Sequence, residues 1–309
     1  MTSLSRFRSV AVAGLAVVAV AACGFSIPSY SAAAGQSTIG TGGPRYSPGA
    51  PGSGDPYFPN AGNGGYDVLD YNLDLRYEPP TDPAVLAGRL SGVATIVLSA
   101  TEDLSSLNFD LRGLDVTAVR VDGKAAGHGP AHGKPHGSSA GKPAEWSQTQ
   151  DDENRAWELT VALRPKLKAG ATTSIVIEYG GTTGEPLDTT GAPYGWVTTA
   201  DGAMVVNEPE GAATWYPVND DPEDKATYTF RITVPEGKTA VANGLPAREP
   251  VTEAGWTTWT WRASDPMASY LSTASVGDYV LSRDEGPNSL PIINAIDDGV
   301  TGENLAVTT

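Results

Sequence analysis

One cysteine and three histidines in 309 residues leave few side chains from which to build a metal centre or a covalent cross-link. Cys23 stands alone, so no disulfide can close within one chain, and a domain of this length buries enough apolar surface to do without one. The histidines fall at His128, His132 and His136, a spacing that would set imidazoles on one face of a helix. Gly127, Gly129, Pro130, Gly133, Pro135 and Gly137 surround them, and each proline opposes a helix by about 3 kcal/mol. A loop insertion between two strands is expected there instead. None of the three is followed by glutamate, so the His-Glu-x-x-His zinc motif is absent from the chain. Basic residues are scarce as well: 20 Lys and Arg face 36 Asp and Glu, for a net charge of −16. That balance excludes the basic footprint nucleic acid requires, disfavours adhesion to anionic lipid, and suits solubility outside the cell. Long helical periodicity is missing too. No run beyond about ten residues keeps a 3.6-residue apolar period free of Gly and Pro.

Other catalytic signatures fail on their surroundings. Gly137-Ser138-Ser139-Ala140-Gly141 has the Gly-x-Ser-x-Gly spacing but lies in the same Gly/Pro stretch, without the strand and helix a nucleophile elbow needs. Gly141-Lys142 is followed by Pro143, so no phosphate-cradling Gly-Lys-Ser/Thr loop forms there. Carboxylates are abundant, yet nothing in their spacing singles out a general acid and base.

The amino terminus carries an address. Arg6 and Arg8 precede the apolar run Val10 to Ala22, which is too short to span a bilayer comfortably and fits a secretory signal over residues 1–22. Ala19-Val20-Ala21 would serve an ordinary cleavage. Val20-Ala21-Ala22-Cys23-Gly24 has instead the form of a bacterial lipobox, which makes Cys23 the expected lipid-bearing first residue of the mature chain. Residues 23–54, rich in Gly, Ser, Pro and Ala, are expected to form a tether.

From Tyr66 the pattern becomes strands and turns. Tyr66 and Val68, then Tyr71, Leu73, Leu75 and Tyr77, alternate; Val93–Leu98, Leu107–Leu111, Val116–Val121, Trp157–Leu163, Ser174–Tyr179, Val197–Val206, Ala226–Val234, Trp256–Trp261 and Ser269–Leu281 follow as strand candidates. Asp122-Gly123 signals a hairpin, and 165–170 reads as a turn. The fold expected is a large, all-β, antiparallel sandwich.

The densest stretch is 207–226. An acidic turn at Glu208–Gly211 and a second turn from Asn219 to Asp224 bracket Trp215 and Tyr216. Beyond Lys225, Tyr228, Phe230, Ile232 and Val234 share one strand face, opposite Thr227, Thr229, Arg231 and Thr233. Asp220, Asp221 and Pro222 are expected to be structural, with Asp capping a turn and Lys225 pairing with a local acid.

The offsets Glu208-x4-Ala213-x3-Pro217-x2-Asp220-x-Pro222-x2-Lys225-Ala226 resemble the segment of M1 zinc aminopeptidases in which a carboxylate precedes "FPCxDxPxxKA". Weaker matches follow the same order along 55–279, among them Gly88–Ile96, Ala240–Gly244 and Pro266–Leu271. Three positions depart from the family pattern and bear on substrate preference: Val206 stands where Gln is usual, Thr214 where Arg is, and Val218 where Cys is. The resemblance implies the saddle-like N-terminal β-domain of these enzymes over 55–285. In them the acid matching Glu208 holds the free α-amine of a peptide substrate, while zinc and its ligands belong to a following helical domain. That domain's motifs are not in this chain, so 286–309 is expected to begin a connection to a missing or separate catalytic domain.

The expectation is therefore an exported, lipid-anchored or secreted substrate-anchoring domain of a zinc aminopeptidase, inactive alone. The alternative is a non-catalytic cell-surface β-sandwich that binds sugars or peptides. Seven Trp residues give it some support, although Trp259 and Trp261, on one strand face, fit a core better than a platform.

Overall fold

The computed structural model describes residues 45–121 and 141–300. Cys23, the three histidines, the Asp122-Gly123 turn and most of the Gly-x-Ser-x-Gly stretch lie outside the described residues.

Among the described residues nineteen strands run in chain order. They are β1 (Ser47–Pro48), β2 (Tyr66–Glu78), β3 (Gly88–Ala100), β4 (Leu104–Asp110), β5 (Asp115–Val121), β6 (Lys142–Pro143), β7 (Trp146–Gln148), β8 (Glu158–Leu167), β9 (Thr172–Thr183) and β10 (Gly195–Thr198). After these come β11 (Ala203–Val206), β12 (Lys225–Pro235), β13 (Thr239–Ala242), β14 (Leu245–Pro246), β15 (Val251–Glu253), β16 (Trp256–Ala268), β17 (Ala274–Gly277), β18 (Tyr279–Glu285) and β19 (Pro291–Asp297). Three short 3-10 turns interrupt them, at Ala212–Thr214, Ser269–Leu271 and Pro287–Ser289, and no α-helix occurs among the described residues.

The strands form a nine-stranded sheet in the order β14-β16-β12-β2-β3-β9-β5-β6, with β15 also on β16. Two four-stranded sheets, β1-β4-β8-β7 and β10-β11-β17-β13, and the ribbon β18-β19 complete the fold. Pairing is antiparallel as expected except at β2–β12 and β1–β4, which are parallel. One hydrophobic cluster joins the three larger sheets. Ring contacts cross between them: Tyr77 meets Trp196 at 5.0 Å and Tyr66 meets Phe109 at 5.7 Å.

Alternation explains most strands. Tyr228, Phe230, Ile232 and Val234 are buried along β12, and Tyr71, Leu73, Leu75 and Tyr77 along β2. The change of phase between Val68 and Tyr71 is a bulge, where β2 slips by one residue against β3. Trp261 is buried, with its indole N–H on the carbonyl of Ala240, and Trp259 donates to the carbonyl of Lys238; both belong to packing.

Several boundaries differ from expectation. Ordered pairing begins before residue 55, because Ser47 and Gly49 donate backbone N–H groups to Asp103 and Ser106 beside β4. Such bonds need no apolar side chain, so a Gly/Ser/Pro-rich composition gives no sign of them. The expected turn at 165–170 starts later, since β8 continues through Pro165 to Leu167 opposite Leu104. A division at 285 falls at the tip of a hairpin, because β18 and β19 pair from Tyr279↔Asp297 to Glu285↔Pro291. Beyond Ser269, the chain makes a 3-10 turn and two short strands in place of one continuous strand.

Candidate substrate-anchoring turn

Strand β11 lies between β10 and β17 and delivers the chain to an exposed turn at Glu208–Glu210. The residue before it, Asn207, is only 4% exposed. Its Nδ2 donates to the backbone carbonyl of Ser272 at 2.6 Å and lies 2.9 Å from Ser272 Oγ, and its Oδ1 accepts the indole N–H of Trp215 at 3.2 Å. The far end of the turn is held differently. Glu210 forms an ion pair with Arg155, whose guanidinium lies 5.1 Å from the Trp157 ring centroid. Glu208, between these anchors, is exposed and makes no ion pair or hydrogen bond among the described residues.

Close backbone approach is required behind the turn. Gly195 has φ +70°, and a Cβ there would meet Thr214 Oγ1 at 2.1 Å. A Cβ on Gly211 would lie 2.7 Å from the Asn207 Cα. Thr214 fills the space, donating its hydroxyl to the Gly211 carbonyl and accepting the Trp196 N–H, each at 2.8 Å. Trp215 and Tyr216 then plug the core at 0% exposure, and Tyr179 donates its hydroxyl to the Trp215 carbonyl at 3.0 Å. Met204 and Val206 on β11 and Leu271 in the 3-10 turn Ser269–Leu271 are exposed apolar side chains.

The second turn is structural, as its sequence suggests. Asp221 Oδ1 caps it by accepting the Glu223 N–H at 2.9 Å. Asp220 is buried and turns back, accepting the Ser269 hydroxyl at 2.6 Å together with the amides of Ala212 and Ala213. Burial lifts its carboxyl to about 6 against those three hydrogen bonds. Asp224 accepts the side-chain amide of Asn219 at 2.6 Å and the Val68 N–H, and burial lifts it to about 7. Lys225 is exposed and forms no ion pair among the described residues, contrary to expectation.

Zinc does not fit the side chains seen here. Among the described residues no group of three or more His, Cys, Asp or Glu is placed to hold a metal ion. No described helix is long and apolar enough to cross a membrane. The turn therefore presents one carboxylate, Glu208, without a partner among the described residues, a group able to hold a cation. Arg155 and Ser272 are invisible to local reading because they lie far along the chain from Glu208. An asparagine ending a strand carries no signal of its own.

The family model of the Peptidase M1 N-terminal domain matches residues 68–271. Aminopeptidase B of Mus musculus is 29% identical over 236 residues, covering 72% of this chain and 33% of that protein. Glutamyl aminopeptidase of Homo sapiens is 37% identical over 73 residues, 24% of this chain and 8% of its own. Among solved structures, the M1 zinc metallopeptidase of Deinococcus radiodurans superposes with a TM-score of 0.67 at 27% identity, over 82% of this chain and 52% of that one. A variant of the same enzyme bound to a Tyr-Ser-Ala substrate gives 0.65 at 28%, with the same coverage. The chain thus spans about a third of aminopeptidase B and about half of the bacterial enzyme. With the match running from β2 to the 3-10 turn before β17, the chain belongs to the peptidase M1 N-terminal domain family.

Proposed function

We propose that this chain is the substrate-anchoring part of an exported M1-type zinc aminopeptidase, with Glu208 holding the free α-amine of a peptide. The observation that carries the reading is the unpaired Glu208 carboxylate, held out on a turn fixed at both ends by Asn207 and by the Glu210–Arg155 pair. A carboxylate about 4 Å from an ammonium is worth roughly 4 kcal/mol at an effective dielectric near 20 and about 1 kcal/mol in open water. In the family, zinc polarises the scissile carbonyl and activates water; this chemistry falls to a catalytic part joined to or docked on this one. The peptide is the substrate, and a lipid on Cys23 would keep the whole at the outer face of the cell membrane.

The test is kinetic. In the active protein, Glu208→Ala is expected to lower kcat/KM for aminoacyl anilides by about ten- to a thousandfold, with Glu208→Gln in between. Zinc content and Tm should not change, because Glu208 is exposed. Full activity in Glu208→Ala would remove Glu208 from the site. Trp157, Trp196, Trp215 and Trp261 are buried, Trp256 and Trp259 are partly buried, and Trp146 is the one exposed indole, so a sugar platform would have a single open ring.

A further inference from the structure

Asp110, the last residue of β4, stands directly across from Glu158, the first of β8. Cross-strand partners of an antiparallel pair point to the same face with Cβ atoms about 5 Å apart. Asp110 is 5% exposed, and both Oε atoms of Glu158 are closed off from solvent without a hydrogen-bond partner. Asp110 Oδ2 accepts the side-chain amide of Asn63 at 3.0 Å and the backbone N–H of Asp220 at 2.9 Å. It thereby fastens two loops, 62–65 and 218–224, to the end of β4. The other titratable groups around the pair are Asp220, Asp224 and Tyr66, all acids. No lysine or arginine forms an ion pair with Asp110, Glu158, Asp220 or Asp224 among the described residues.

We propose that Asp110 and Glu158 form a proton-holding clasp, in which the pair keeps a proton at neutral pH and its loss to solvent in alkaline solution sets two like charges against each other across β4 and β8, a repulsion that outweighs the N–H bonds to an ionised Asp110 and opens the loops tied to it. Two buried carboxylates without a counter-cation cannot both carry charge cheaply, so the folded state retains the proton that the unfolded chain gives up. Burial lifts Glu158 to about 8; burial, then the charges of Glu158 and Asp220, lift Asp110 well above the carboxylate range. Because the folded values lie above the unfolded ones, the stability contributed is complete below about pH 4 and lost as pH rises through about 8. Asp220 and Asp224, at about 6 and 7, act in the same direction at lower pH. Above pH 7.5 most of the change comes from the pair, with the tail of the Asp224 titration beside it. This inference does not rest on the peptidase reading.

Unfolding the purified chain by denaturant at pH 7 in weak buffer should release at least about one proton per molecule. Its Tm should fall by about 5 °C or more between pH 7.5 and 9. Glu158→Gln, neutral at every pH, should flatten that interval; if it does not fold, Asp110→Asn serves the same purpose. In the unaltered chain the Asp220 amide should lose exchange protection over the same range, after correction for intrinsic rates. Absence of proton release, or an unchanged slope in a folded variant, overturns the clasp. Stabilisation by millimolar calcium without proton release would put a metal ion in the proton's place and overturn it equally.

Discussion

The side-chain amide of Asn207 joins Trp215 to Ser272 from the base of the Glu208 turn, so its removal strands an indole N–H and a backbone carbonyl in the interior. Leaving buried polar groups unmatched costs about 1–3 kcal/mol, and Asn207→Ala should lower Tm by roughly 3–10 °C. A scanning-calorimetry shift below about 1 °C would show that the turn is held by other contacts. The stretch around Glu208 can be singled out from sequence because its pattern is local: the acid, the prolines and Lys225-Ala226 stand at fixed offsets within one stretch of chain. Its supports were not. Arg155 reaches Glu210 from the loop before β8, and Ser272 reaches Asn207 from beyond β16; no spacing rule connects residues so distant in sequence. The Asp110–Glu158 pair was hidden for the same reason, since two acids become neighbours only once β4 and β8 are in register.

Strands that alternate were readable, and those held by backbone alone were not. β2, β3, β9, β12 and β16 carry the apolar face of the large sheet, and their sequences show it. β1, β6 and β14 have two residues each and nothing to alternate. The short 3-10 turn at Ala212–Thr214, between the acidic turn and the aromatic pair, carries no apolar period that would announce it, yet it delivers Trp215 and Tyr216 to the buried centre. Trp215 stacks on Phe230 at 6.1 Å and meets Tyr216 edge-on at 4.6 Å. Truncating a buried Trp costs about 3–5 kcal/mol, so Trp215→Ala should lower Tm by roughly 6–20 °C. Because the same segment carries Thr214 against Gly195 and Gly211, the damage should spread to the turn. Disordered amide resonances for 207–211 in that variant would show the spread, and native shifts there would confine the plug's role to the core.

At the scale of the whole molecule, the acidic composition suits a protein facing water, and the proposed address at the amino terminus can be tested directly. Cys23→Ser should move the protein from the membrane fraction to the medium, and labelling with a lipid precursor should mark the parent alone. Equal membrane retention of both would discard the lipobox reading. Wherever copies of a β protein meet at high concentration, open sheet margins recruit strands from neighbours. Here β1, β6 and β14 lie at sheet margins, and each ends in a proline: Pro48, Pro143 and Pro246. Proline offers no N–H to an arriving strand, and two residues give little length on which to zip. Three margins of the fold are thereby blunted against strand-by-strand polymerisation.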